Sequence, residues 1–362
     1  MTRFARTLCL SVIVLACFPA VAYADAGTPL MWASAFHLLL GNAVIGIAEG
    51  LLLVLLFRPT KRGCVPIMVA ANYFSAWVGG VILAHLIADK LALDLYNARR
   101  WLWCLVVVTY FLTLLLEWPF VALCLRKTDG WLRKSIVGSV VVQSASYLVL
   151  FGWYWMASGT SLYTDLTVVR LSDLSLPKDA MVYYIAESGE NVYECDPSKG
   201  KTTKVCELKS SEKEGRLLLR ESSTGAGHWD LIVGSESEDR SPVDRIVNAN
   251  LKCVAADPPS VGIRPGGEVP RFRADTSGWE FHFGWMAGRL DGVNAKSGRE
   301  LDVALETPFV RWPVRHPTQL PSGHVIFQLG WEQICILDPN ERKIALLAKG
   351  RWPVVIVKPL GQ

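Results

Sequence analysis

Asn42, Glu49, Asn72, His85, Asp89 and Glu117 are the residues of this chain best placed to do chemistry, because each interrupts a long apolar run. Charged and strongly polar groups at bilayer depth are costly, so they need partners and commonly mark ion pathways, proton relays or ligand sites. Asn42, Gly46 and Glu49 fall at i, i+4 and i+7, on one helical face. His85 and Asp89 share another. Glu117 stands beside Trp118 and Pro119, and a proline inside a helix frees a backbone carbonyl that a broken-helix site can use. Facing the interior of a bundle, such a cluster could bind a cation, relay protons or grip a small polar solute. The same residue types also act as hydrogen-bonding glue between helices, with Gly46, Gly50, Gly79 and Gly80 permitting close approach.

Residues 41–51, Gly-Asn-Ala-Val-Ile-Gly-Ile-Ala-Glu-Gly-Leu, are similar to a stretch of the cobalt and nickel permease subunits of energy-coupling-factor transporters, where His precedes a comparable Ile-Gly-rich, Glu-Gly-containing helix. The resemblance implies metal transport. The chain departs from that pattern, with Asn42 where the family tends to have His, the segment in its first span, and no mature N-terminal Met-His. No metal site is carried over, and neither a metal nor a cofactor is expected.

The polar residues need membrane helices to hold them. Met31–Phe57, Val65–Ala88, Trp101–Leu125 and Ile136–Met156 are each long enough to cross a hydrocarbon core of about 30 Å at about 1.5 Å per residue. Residues 1–24 read as a signal peptide, with Arg3 and Arg6, an apolar stretch from Leu8 to Val21, and small residues at −3 and −1 in Ala22-Tyr23-Ala24. Cleavage after Ala24 leaves the new N-terminus outside. The inner loops then hold Arg58, Lys61, Arg62, Arg126, Lys127, Arg133 and Lys134, against Lys90, Arg99 and Arg100 in the outer loop, as the positive-inside rule requires. Trp32, Trp101, Trp103, Trp153 and Trp155 all fall at outer ends, where an aromatic belt belongs. The expected layout is a helical domain over residues 25–158, multi-pass in the cell (inner) membrane, followed by an extracytoplasmic, periplasmic domain over residues 159–362.

Composition agrees with this division. Of 362 residues, 51% are hydrophobic, and the apolar runs are concentrated before residue 157. Residues 157–362 hold 25 Lys+Arg against 27 Asp+Glu, so the formal net charge of +4 arises in the membrane half, and nucleic acid is not an expected partner. The lipid bilayer is.

After Gly159 short alternating or β-branched runs separated by turn signals indicate an all-β fold. They are Met181–Ala186, Asn191–Cys195, Lys204–Leu208, Arg216–Arg220, Trp229–Val233, Glu280–Trp285, His324–Leu329, Gln333–Leu337, Lys343–Ala348 and Val354–Val357. Gly284-Trp285 recurs as Gly330-Trp331, Arg311-Trp312-Pro313-Val314 recurs as Arg351-Trp352-Pro353-Val354, and Asp196-Pro197 is echoed by Asp338-Pro339. A repeat of strand, turn, strand and Asp-Pro turn predicts a propeller-like domain of about four units, with a sandwich or barrel as the alternative.

An oxidising exterior permits disulfides. Cys195 and Cys206 are symmetric about Gly200-Lys201, so a hairpin centred there would set them opposite one another, and Cys253 with Cys335 remains a pair by elimination. Gly-x-Ser-x-Gly, His-Glu-x-x-His and P-loop sequences are absent, and His228, His282, His316 and His324 lie at no metal-ligand spacing. No catalytic residue is assigned. Three functions follow: a membrane-anchored binding protein whose outer domain contacts a protein or an envelope polymer; transport or sensing of a small cation or solute by the bundle; and, least favoured, an extracytoplasmic hydrolase.

Overall fold

The computed structural model describes residues 34–59, 61–82, 92–157, 166–213, 215–223, 227–234, 245–256, 267–272, 277–283, 288–303, 305–306 and 311–358. The signal-peptide segment, His85 and Asp89, and the Gly284-Trp285 pair lie outside the described residues. The N-terminal region is helical: α1 is Ser34–Phe57, α2 Lys61–Ile82, α3 Ala98–Leu125 and α4 Trp131–Ala157. The helices α1, α3 and α4 are long and apolar enough to cross a membrane. Within the described residues α2 is not counted among them.

These helices pack in a closed order, α1 on α2, α2 on α3, α3 on α4, and α4 back on α1. Glycine sets the tightest contact. A methyl group on Gly46 would stand 2.6 Å from Val69 Cα, and one on Gly50 would stand 2.7 Å from Val65 Cα, so α1 and α2 touch along a small-residue seam. Beside that seam Leu53, Met68, Val121, Leu125 and Val142 form a dry core shared by all of these helices.

The C-terminal region is all β. Its strands are β1 (Thr167–Val168), β2 (Ala180–Ala186), β3 (Asn191–Asp196), β4 (Lys201–Glu207), β5 (Arg216–Glu221), β6 (His228–Gly234), β7 (Arg245–Lys252), β8 (Val254–Ala255) and β9 (Trp279–Phe283). There follow β10 (Leu290–Asn294), β11 (Glu300–Val303), β12 (Leu305–Glu306), β13 (Arg311–Trp312), β14 (Val314–Gln319), β15 (Val325–Leu329), β16 (Gln333–Asp338) and β17 (Lys343–Val357). The main sheet runs β14-β15-β16-β17-β2-β3-β4, with β1 and β8 also on β17; smaller sheets are β11-β10-β9, β5-β6-β7 and β12-β13. Pairing is antiparallel except for β1 with β17.

Among the described residues these sheets show no closed propeller ring or barrel. The physical reason is β17. Its fifteen residues pair with β16 over their first half and with β2 over their second, joining two meanders edge to edge where propeller blades would stack face to face. The Arg-Trp-Pro-Val tetrapeptides are also not equivalent: Trp312 ends β13, whereas Trp352 lies in the bulged middle of β17.

Local turn chemistry does recur. Asp196 Oδ1 accepts from Ser198 N at 3.1 Å, Asn294 Oδ1 from Lys296 N at 3.0 Å and Ser297 N at 2.9 Å, and Asp338 Oδ1 from Asn340 N at 2.9 Å and Glu341 N at 3.1 Å. Each such residue ends one strand and folds its hairpin back through a side-chain-closed turn. Asp196 pairs with Lys201, so the β3–β4 turn is centred nearer Asp196 than the symmetric placement about Gly200-Lys201 requires. Cys195 therefore faces Thr202, and Cys206, beyond a bulge, faces Val192. The two thiols are free and enter different cores, as do those of Cys253 and Cys335. Neither expected disulfide is formed.

The two regions meet at the loop before α3. Asp94 and Asn97 bond each other reciprocally, with Asn97 N at 2.9 Å from Asp94 Oδ1 and Asp94 N at 2.9 Å from Asn97 Oδ1. The loop so fixed drives Leu95, 1% exposed, into the β core with Leu329, Cys335, Leu337 and Ile344. Leu95 N donates to Gln333 Oε1 at 2.6 Å.

Candidate functional site

Glu49 of α1 and Glu117 of α3 are 2% and 1% exposed, and each is held by one residue of α2 and one of α4. Asn72 Nδ2 donates to Glu49 Oε2 at 2.5 Å, and Ser146 Oγ to Glu49 Oε1 at 2.5 Å. Ser75 Oγ donates to Glu117 Oε1, and Gln143 Nε2 to Glu117 Oε2. Ser75 Oγ also lies 3.1 Å from Asn72 O, which links the two halves through α2. Asn72 and Ser75 are one helical turn apart, as are Gln143 and Ser146, so two turns of helix present two donors each toward a pair of carboxylates. The ring passes through α1, α2, α3 and α4 in turn.

All four partners are neutral, and among the described residues no ion pair involves either carboxylate. Asn, Gln and Ser carry oxygens as well as the hydrogens they donate, so the ring is also a set of oxygen ligands. Two carboxylates among neutral dipoles cannot stay uncompensated in a low-dielectric bundle; protons or a bound cation must balance them. Among the described residues no three His, Cys, Asp or Glu side chains cluster, and the available donors are all hard oxygens.

Of the residues singled out in the sequence, Glu49, Asn72 and Glu117 are brought together. Asn42 is buried on the same face of α1 but turns back on its own helix, donating to Leu38 O at 3.2 Å. His85 and Asp89 fall outside the described residues. Sequence reasoning missed Ser75, Gln143 and Ser146. The available signal was the spacing of Ser135, Ser139, Gln143 and Ser146, which places them on one face of α4, and of these Ser135, Ser139 and Gln143 are buried. Trp118 Nε1 donates to Ser135 Oγ at 3.2 Å, extending the polar face away from the ring. At another level of the bundle His37 Nδ1 and Tyr154 Oη are 2.8 Å apart, tying α1 to α4.

In comparison with known proteins, the chain matches no family model and no curated protein.

Proposed function

We propose that this is an exported, multi-pass membrane protein whose helical region exchanges a proton for a monovalent cation at the Glu49–Glu117 pair, in the service of transporting or sensing that cation. The observation that carries the reading is the convergence of both buried carboxylates on donors from α2 and α4. Neutral glue could be built from Gln alone; a carboxylate adds the ability to trade a proton for a metal cation. Binding releases one proton for each cation taken up, and the hydroxyls and amides turn their oxygens toward the ion.

In the same reading the segment Val65–Ala88 is a fourth span, the chain begins outside after a cleaved signal peptide, and the β domain is periplasmic. The Leu95 contact supports this reading, because the segment just before α3 packs into the β core, as two parts of the chain on the same side of a membrane could. The three side-chain-closed hairpins support a domain assembled from propeller-like repeat units without ring closure.

The test is proton release from unbuffered proteoliposomes on addition of sodium. The wild-type protein is expected to release protons in proportion to sodium bound, and Glu49→Gln with Glu117→Gln to release none; no release from the wild type sinks the proposal.

A second reading makes the bundle chiefly an anchor and the β domain the working part, contacting a protein or an envelope polymer. It is favoured by Trp331, which is 72% exposed on a turn braced by Gln328 Nε2, donating to Trp331 O at 2.8 Å, with the Arg315 guanidinium 4.0 Å over its ring. Rigidly displayed Trp and Arg are typical anchors of protein interfaces. A chain lacking residues 160–362 that still co-purifies with every native partner would exclude it.

A further inference from the structure

Away from the carboxylate ring, the helical region gathers three sulfur-bearing side chains, Cys64, Met68 and Cys124, into one apolar cluster. Cys64 is the fourth residue of α2 and Cys124 the next to last of α3, and their contact puts the start of one helix beside the end of the other. Cys124 Sγ donates to Cys64 O at 3.8 Å, and the two thiols are within bonding reach of each other. Cys64 Sγ donates across to Gly50 O of α1 at 3.6 Å, a reach that the close approach of α1 to α2 at Gly50 permits. Cys64 is 1% exposed and Cys124 half-buried. Met68 follows Cys64 by one helical turn on the same face of α2 and is fully buried.

A single buried cysteine behaves as a small hydrophobe, but two thiols from different helices with a thioether one turn away form a ligand set. Thiolate and thioether sulfur are soft donors, and they select Cu(I) over hard cations. Zinc would require a tetrahedron of nitrogen, sulfur or oxygen ligands, and the other described members of the cluster are Leu, Val, Ala and Phe, which supply none. The chain places Lys61 and Arg62 just before Cys64, and Arg126 and Lys127 just after Leu125. Two thiolates around one Cu(I) carry a net single negative charge, and this cation-rich end of the bundle is the setting that suits it. The same cations assign this end to the cytoplasmic side, where thiols stay reduced and a disulfide is disfavoured.

We propose that Cys64 and Cys124, with Met68 as a third ligand, form a Cu(I) site that clamps α2 to α3. On binding, each thiol gives its proton to solvent and forms one sulfur–copper bond, so two protons leave for each ion and copper remains in its +1 state. The site is separate from the carboxylate ring, whose oxygens suit hard cations, and its occupancy does not depend on sodium exchange there.

The full-length protein in nanodiscs, reduced and kept anaerobic, provides the test by competition for Cu(I) against the chelator bicinchoninate, with X-ray absorption at the copper edge. The wild-type chain is expected to take Cu(I) from the chelator into an all-sulfur environment. Cys64→Ser and Cys124→Ser should each weaken this uptake about a hundredfold or more, since even groups standing behind a metal ligand are worth about tenfold to a hundredfold. Cys104→Ser, which replaces an exposed thiol of α3 outside the cluster, should leave it unchanged. Failure of the wild-type chain to compete, copper bound through nitrogen or oxygen, or undiminished uptake by the Cys64→Ser, Cys124→Ser double variant would overturn the proposal. The first two of these readings use only the wild-type chain and stand even where a variant fails to fold.

Discussion

Polar side chains are used in opposite ways in the two regions of this molecule. In the helical region the bonds to Glu49 and Glu117 join residues 23 to 97 positions apart, each from a different helix. In the β domain Asp196, Asn294 and Asp338 bond backbone only two or three residues away. The difference follows from where the backbone is satisfied. A membrane helix closes all its own hydrogen bonds, so only side chains can specify which helix meets which. A sheet joins its strands through the backbone, so these side chains can serve to close turns, while a smaller set such as Gln328 and Gln333 reaches across the domain. Buried ionisable groups in the first setting are therefore expensive and few, and they are where selective chemistry concentrates.

Breaking the contact between the regions should have the largest effect. Leu95→Ala removes a fully buried leucine from the β core and should cost about 2–5 kcal/mol, read as a lower melting temperature and as faster proteolysis at the loop before α3. Gly46→Ala drives a methyl group against the Val69 backbone and should cost about 1–3 kcal/mol of bundle stability, with no change in the β domain. Glu117→Ala leaves Ser75 and Gln143 without their acceptor and should cost about 1–3 kcal/mol, whereas Glu117→Gln should restore most of that stability while abolishing cation-driven proton release. If Ala and Gln were equivalent in stability, the long-range bonds would not be what orders the helices.

The smallest effect is expected in the turns. Burial raises the Asp338 carboxyl, but the His324 imidazole, with Nε2 3.5 Å from Asp338 Oδ2, and the Glu341 and Asn340 N–H groups outweigh it and hold the group below its ordinary 3.8. A depressed carboxyl contributes stability that is complete above the unfolded value and is lost as pH falls through the lower folded value. The β domain should therefore lose stability below about pH 4, and Asp338→Asn should flatten that dependence in melts followed by circular dichroism.

Much of the architecture was legible in the chain. Apolar runs marked the helices, and alternation marked strands such as Met181–Ala186 and Gln333–Leu337, because both patterns are local. β1, β7, β8 and β10 to β14 were not found; the Asp-Gly-Val-Asn of β10 and the His-Pro-Thr of β14 look like turns until neighbouring strands pair with them. Glu49, Asn72 and Glu117 stood out against hydrocarbon, whereas Ser75 and Ser146 did not, since a serine is unremarked in a membrane helix until a carboxylate faces it. The Cys195 and Cys206 register failed on the placement of the turn and a bulge, and the β17–β2 pairing and Leu95 contact join residues too distant for any local signal.

Infrared difference spectroscopy of the carboxyl stretch in the reconstituted protein tests cation exchange at the Glu49–Glu117 pair most directly. A buried carboxylic-acid band that shrinks as sodium is added, with carboxylate growing in its place, is the predicted result, and both signals should vanish in the Glu49→Gln, Glu117→Gln double variant. A band indifferent to sodium and pH, or one that persists in the double variant, would contradict the account and leave the ring as hydrogen-bonding glue.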